Sequence, residues 1–397
     1  MTVVFLALLV VFLIPLSYLL LLALASIRAS KLQISDEHEP SHRFAIAIPA
    51  HDESAVIHKT VEGLLKLDYP AHLFSVHIVA DHCSDSTAEA ARLAGAIVHE
   101  RNEGPRTGKG AALSWLFERI LTDDSYEAVV IFDADTRVDP QFLRVMDARL
   151  VQGAKAIQGQ HVISNPGEAW FPALTWAMFL VDNRFQNLGR TNMGWSAKNM
   201  GDSICIRADV LREHGWGSGL TEDYNLRQKL LLAGIRIIYE PAAIGYGEAV
   251  RTWMEARAQR ARWMRGTHDS SSGFRWKLLR EAINLKDGAL LDGALQAIFP
   301  SYSTLSVLGM LILLAVLLVN GFVQPIAPAL VWLWLIVAAV IFFYPLFGLF
   351  LERAPFKAYL VILTGPLFIL WRTWLAFSSR YGKRTVTWVR TAHGGGQ

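Results

Sequence analysis

The segment Val129-Val130-Ile131-Phe132-Asp133-Ala134-Asp135 decides how the chain folds. Four apolar residues in a row, without alternation, read as a strand buried on both faces. The two carboxylates that follow at once mark its end as a polar site. Working outward, Phe44–Pro49, Val76–Ala80, Ile97–Glu100, Ala156–Val162 and Ile235–Tyr239 have the same buried-strand character. Helix-like stretches lie between several of them: Ala55–Leu67, Ser84–Leu93, Ala111–Leu121 and Pro140–Val151. This alternation predicts a water-facing α/β unit over residues 40–285, with a mostly parallel sheet covered by helices. Ligands of such sheets bind beyond the carboxyl ends of the strands.

The flanks have a different composition. Of the 397 residues, 52% are hydrophobic and only 18% charged, against about 25% charged in a typical soluble domain. Val3–Ala25 holds no charged residue over 23 positions, enough for a membrane helix, which needs about 20. Ala23-Leu24-Ala25 resembles a signal-peptide cleavage site, but no Lys or Arg precedes the run, and Arg28 and Lys31 follow it. It reads as an anchor with its C-terminal side in the cytoplasm. A second zone, Gly293–Leu351, is free of acids and bases over 59 residues and predicts spans at 300–319 and 327–350. Arg353 and Lys357 mark the return to the cytoplasm. Ala358–Phe377, with Gly365-Pro366 and Arg372, reads as a re-entrant or interfacial segment followed by a basic tail. The net charge of +3 is too small to argue for nucleic-acid binding, and two cysteines, Cys83 and Cys205, exclude a disulfide scaffold.

Polar clusters follow the predicted strands: Pro49-Ala50-His51-Asp52-Glu53, Asp81-His82-Cys83-Ser84-Asp85 and Asp133-x-Asp135, with Gly104–Gly110 before a helix. Taken singly, Glu53 and Asp85 also read as helix caps, and Lys109 as a solvated loop lysine. The glycines at 108 and 110 match neither a P-loop nor a dinucleotide fingerprint. Asp133 and Asp135 repel each other unless a cation is present. A hard cation sharing diphosphate oxygens, Mg²⁺ or Mn²⁺, fits them, with Lys109 adding positive charge nearby. Thr221-Glu222-Asp223 precedes a helical stretch, Tyr224–Leu232, so Thr221 reads as an N-cap. A carboxylate there stays ionised and can act as a base. Gln259-Arg260-Ala261-Arg262-Trp263 lies on a predicted amphipathic helix that begins near Arg251. With Trp253 and Trp263 it suits a membrane surface, as does Trp170–Phe185.

As an ordered set these motifs resemble the membrane-bound family 2 glycosyltransferases of the GT-A fold, among them cellulose, hyaluronan and poly-N-acetylglucosamine synthases and ceramide glucosyltransferase. The resemblance covers residues 40–390. It implies a Rossmann-like GT-A domain, α/β with a mostly parallel sheet, inserted between transmembrane helices. The resulting division is 1–27 anchor, 40–250 catalytic domain, 251–290 interfacial helices, 291–378 membrane region and 379–397 tail. It implies that Pro49, Glu53 and Asp81 hold the uridine of a UDP-sugar, with Lys109 by the diphosphate. Asp133 and Asp135 would meet the metal and the ribose–diphosphate side, and Asp223 would be the base. Gln259 and Arg262 would contact the diphosphate or hold the site closed, and Trp263 would stack on the acceptor. Gly201 and Asp202 fall loosely at a loop beside donor and acceptor. The implied reaction is an inverting, metal-dependent transfer of a hexose to a growing saccharide chain, forming a β-linkage; the alternative is single transfer to a membrane lipid. The large processive synthases carry more membrane helices than this chain. Trp388-Val389-Arg390-Thr391 loosely resembles the C-terminal gating segment of hyaluronan synthases, which would bring Arg390 or Arg384 to the diphosphate.

Overall fold

The computed structural model describes residues 1–29, 39–122 and 124–381. Helix α1 (Thr2–Ala25) is followed by β1 (Phe44–Ala50), α2 (Ile57–Leu64), β2 (Phe74–Asp81), α3 (Thr87–Leu93), β3 (Ile97–Arg101) and α4 (Lys109–Ile120). Next come β4 (Ala128–Ile131), β5 (Arg137–Val138), α5 (Phe142–Val151), β6 (Ala156–Ile163) and α6 (Trp170–Asp182). A π-helical stretch, Asn183–Leu188, leads into α7 (Gly189–Asn192), β7 (Ile204–Arg207), α8 (Ala208–His214), α9 (Glu222–Leu232) and β8 (Ile237–Gly247). The C-terminal part is α10 (Trp253–Leu285), α11 (Gly288–Ile298), α12 (Tyr302–Phe322), α13 (Pro328–Leu351), α14 (Phe356–Ile362) and α15 (Gly365–Tyr381).

One eight-stranded sheet runs in the order β3-β2-β1-β4-β7-β6-β8-β5. β1 pairs in parallel with β2 and β4, β2 with β3, and β6 with β8. Two short strands depart from the predicted pattern: β7 is antiparallel to β4 and β6, and β5 is antiparallel to β8. The strand expected at 235–239 instead begins at Ile237 and runs on to Gly247, past a bulge in β6 at Gly159/Gln160. The chain winds outward from β1 to β3, then returns across β1 to β4. The carboxyl ends of β1 and β4 therefore flank a topological switch point.

The uninterrupted apolar strands are explained by helices on both sheet faces. Ile46, Ile48, Val130 and Phe132 pack with Ile57, Val61, Phe142 and Met146 from α2 and α5. Ala45, Ala47, Val129 and Ile131 pack with Leu113, Leu116 and Phe117 of α4 and Leu226 and Leu230 of α9.

Among the described residues three helices, α1, α12 and α13, are long and apolar enough to cross a membrane. They share a core that includes Phe12, Leu16, Leu313, Trp334 and Ile341. The Asn192 amide donates to the Ala25 and Arg28 carbonyls (2.9 and 3.0 Å), and Arg184 donates to the Ile27 carbonyl (3.0 Å) and pairs with Glu352 (3.3 Å). The C-terminal ends of α1 and α13 thus meet the α/β unit on one side. α14 and α15 bend by 41° at their junction. They pack on α6 and α10: Trp371 lies 4.2 Å from Trp253 between ring centroids, and the Trp170 indole donates to the Thr364 hydroxyl (2.9 Å). Lys31 and the tail residues Lys383, Arg384, Trp388, Val389, Arg390 and Thr391 lie outside the described residues.

Candidate active site

The strand-end clusters, the Thr221 turn and the first turns of α10 meet in one cavity of about 260 Å³. Its wall includes Pro49, Glu53, Asp81, Lys109, Asp133, Asp135, Asp223, Gln259, Arg262 and Trp263, which are all ten site residues picked from sequence. Gly201 is in the same wall.

Asp202 is not. It is buried behind the acid pair at 2% exposure. One carboxylate oxygen accepts from the Asp133 amide and the Thr136 hydroxyl (both 3.0 Å), the other from Ser203 (3.0 Å) and His161 Nδ1 (2.6 Å). Burial works against its charge, but the hydrogen bond and charge of His161 outweigh it and hold the carboxyl below the usual range. Asp202 therefore braces the turn that presents Asp133. His161 was not foreseen, because a lone histidine at the end of a strand carries no motif.

Lys109 is the first residue of α4, entered through Gly108 at φ +117°. Its predicted place before the helix shifts to the helix N-terminus, where free N–H groups favour an anion. Its Nζ donates to the Asp133 carboxylate and to the Gly201 carbonyl (2.5 Å). Burial disfavours the ammonium, yet Asp133 and Asp202 outweigh it and raise its pKa. Asp81, at the end of β2, accepts from Arg101 of β3 and from His82 Nδ1 (2.9 Å). Its carbonyl accepts from His51 Nδ1 (2.7 Å).

Asp223 stands in the first turn of α9. Thr221 occupies the N-cap position expected from sequence, but its hydroxyl makes no capping bond and is buried against α10. Asp223 Oδ1 accepts from the Tyr224 amide (2.8 Å). Across from it, Gly201 has φ +77°, and a Cβ there would lie 3.4 Å from Asp223 Oδ2. Only glycine combines that backbone with an open path to the carboxylate. Burial raises the Asp223 carboxyl above its ordinary value. Burial, and then the adjacent Asp223 charge, push Glu222 up to about 7. Glu222, which also lines the cavity, packs against Gly110 at the start of α4. Its part in the wall was not read from the sequence.

Gln259, Arg262 and Trp263 lie on one face of α10, as i, i+3 and i+4 residues must. A capping box between Thr252 and Glu255 (3.3 Å in each direction) sets the start of that helix. One turn on, Gly266 lets α10 touch the Thr221 turn: a Cβ at Gly266 would lie 2.7 Å from Thr221 Cγ2. Arg260 is not part of the wall; its guanidinium lies 4.9 Å from the Trp263 ring centroid and 5.8 Å from those of Phe171 and Phe368.

Residues 40–266 match the family described as glycosyltransferase-like family 2. The chain belongs to that family. A glycosyltransferase-like family 2 unit with a GT-A sheet thus sits between apolar helices. The β-monoglucosyldiacylglycerol synthase of Trichormus variabilis is 29% identical over 245 residues, covering 59% of this chain and 51% of that protein. The probable glycosyltransferase YdaM of Bacillus subtilis is 24% identical over 239 residues, covering 56% and 55%. The chain spans about half the length of the curated relatives it matches. Among solved structures, the mannosyltransferase PcManGT of Pyrobaculum calidifontis, in complex with GDP-Man and Mn²⁺, superposes with a TM-score of 0.60 at 16% identity. That match covers 96% of this chain and 99% of the other, so the fold likeness extends to the flanking helices.

Proposed function

We propose that this chain is a membrane-embedded, inverting glycosyltransferase that moves one hexose from a UDP-sugar to the hydroxyl of a membrane lipid. The observation that carries the proposal is a single cavity joining the acid pair, the Lys109 helix start, Asp223 and the Gln259/Arg262/Trp263 face. Val250 belongs both to that cavity wall and to the aromatic cluster of Phe171, Phe368 and Trp371. The acceptor side therefore adjoins an apolar surface next to the membrane helices, which supports a lipid acceptor. Three of the curated relatives, named β-monoglucosyldiacylglycerol synthases, point the same way.

Asp133 and Asp135 are half-buried, hard oxygen donors in the cavity wall and fit Mg²⁺ or Mn²⁺. Such an ion, when bound, neutralises charge on the diphosphate. Pro49, Glu53 and Asp81 hold the nucleoside, while Lys109 and Arg262 bind the diphosphate. Asp223 takes the proton of the acceptor hydroxyl as that oxygen bonds to the anomeric carbon. The bond from the anomeric carbon to the phosphate oxygen breaks, and its electron pair leaves with UDP. A single displacement inverts the donor's α-linkage to β.

Trp263 is an aromatic residue in the cavity wall, suited to the apolar face of a sugar, which favours a second reading, extension of a saccharide chain. Product size decides: one added sugar supports the lipid reading, a ladder the second. A panel of UDP-sugars and GDP-mannose, assayed for nucleotide release with diacylglycerol vesicles, tests the donor. Asp223→Asn should abolish transfer while donor binding persists; full activity would remove the assigned base. Arg28 and Arg353 follow the ends of α1 and α13 that meet the α/β unit, which supports a cytoplasmic site at the cell membrane. External protease on intact spheroplasts should then leave that unit uncut.

A further inference from the structure

A buried ionic cluster joins the first membrane helix to the helix that carries Asp223. The Tyr18 hydroxyl of α1 donates to Asp292 Oδ1 of α11 (2.6 Å). Arg190 of α7 donates through Nε to both oxygens of Asp292 (2.9 Å each) and through Nη2 to the Tyr18 hydroxyl (2.8 Å). Its Nη1 donates to the backbone and side-chain oxygens of Gln186 (both 2.8 Å). Arg227 of α9 completes the cluster, donating through Nη2 to Asp292 Oδ2 (3.0 Å) and through Nη1 to Gln296 Oε1 (2.6 Å). Arg190 and Asp292 are 0% exposed and Arg227 is 1% exposed.

Arg227 also fixes the loop opposite the base. Its Nε donates to the Ala197 carbonyl and its Nη2 to the Ser196 carbonyl (both 2.8 Å). That loop leads to Gly201, which faces the Asp223 carboxylate and whose carbonyl receives Lys109. Asp223 itself is one helical turn from Arg227 on α9. The other end of the cluster is equally tight: a Cβ at Gly189 would lie 2.3 Å from the Leu22 carbonyl oxygen, so the backbones of α1 and α7 touch. Two guanidiniums sharing one carboxylate in a dry site gain little stability over an apolar core of the same volume. What directed, charge-assisted hydrogen bonds add is a unique register among the four helices they join.

We infer that Tyr18 and Arg227 are positioning residues for Asp223, so that α1 is a working part of the catalytic apparatus as well as an anchor. The role of Asp223 rests on the function proposed above; the coupling of α1 to α9 does not. The test uses the full chain in proteoliposomes, with UDP-glucose as donor and diacylglycerol as acceptor. Tyr18→Phe removes one hydroxyl and leaves the ion pairs. It should lower kcat about tenfold with donor KM within about twofold of wild type. In an Asp223→Glu background, whose carboxylate is already displaced, the same change should cost less than about twofold. A wild-type kcat, an equal loss in both backgrounds, or a loss confined to donor KM or folded yield overturns the inference. Hydrogen exchange supplies a readout independent of donor and acceptor. The amides of residues 223–228 should exchange faster in Tyr18→Phe, with the central strands unchanged; unchanged α9 protection overturns the coupling. If Asp223→Asn transfers sugar at the wild-type rate, the base assignment fails, and exchange alone decides whether Tyr18 fixes α9.

Discussion

Gly266→Ala sets helix propensity against packing at the point where α10 crosses the Thr221 turn. Inside a helix, alanine is favoured over glycine by about 0.8–1.0 kcal/mol, so an exposed position would gain stability. Here the added methyl carbon would lie 2.7 Å from Thr221 Cγ2 and 2.9 Å from both Leu220 Cβ and Thr221 Oγ1. Carbon atoms prefer roughly 3.5–4.0 Å, so the turn and the helix must separate by about 0.8 Å or more. Overpacking of this kind costs about 1–3 kcal/mol, which cancels or exceeds the propensity gain. The displaced turn leads directly into Asp223 on one side, and α10 carries Gln259, Arg262 and Trp263 on the other. A misplacement near 1 Å costs on the order of 100-fold in rate, so kcat should fall by about 10- to 100-fold. Gly273, on the same helix, has nothing within 4 Å of a built Cβ. Gly273→Ala should therefore keep full activity and gain about 1 kcal/mol. UDP release and thermal unfolding, both in detergent, report the two quantities. A Gly266→Ala enzyme that is as active as wild type and as stabilised as Gly273→Ala would refute the packing account.

Three further outcomes follow from the site. Lys109→Met removes the cation bonded to Asp133 and Gly201. A hydrogen bond to a charged group is worth about 1.5–3 kcal/mol, so donor KM should rise about tenfold or more in initial-rate assays. With Asp223 as the proposed base, transfer needs its ionised form; burial raises that carboxyl, so the rate should fall as pH drops through the raised value. The acid limb should lie above the ordinary carboxylate value of about 4 in a pH–rate profile. EDTA should abolish UDP release and added Mn²⁺ restore it, whereas Asp135→Asn should weaken the restoration in a metal titration.

Much of the frame is written locally. Val129–Phe132 could be read as a strand because four apolar residues without alternation require cover on both faces, and α4, α5 and α9 supply it. The spans Tyr302–Phe322 and Pro328–Leu351 lie close to the expected 300–319 and 327–350, because hydrophobic length against bilayer thickness is a one-dimensional property. β5 and β7 have two and four residues, too few to display a period, and their antiparallel placement depends on partners far along the chain.

The sequence by itself determined the chemistry on offer: which carboxylates, bases and aromatic residues exist and which strand ends and helix turns carry them. Tertiary structure decided what those groups do to one another. The raised carboxyls of Glu222 and Asp223 come from burial, and the depressed one of Asp202 from His161, 41 positions away. The contact between Tyr18 and Asp292 joins residues 274 positions apart. Periodicity and hydrophobic length are properties of neighbours on the chain, whereas dielectric environment and charge pairing are properties of neighbours in space. Those exist only once the sheet has formed around its switch point and the apolar helices have docked against it.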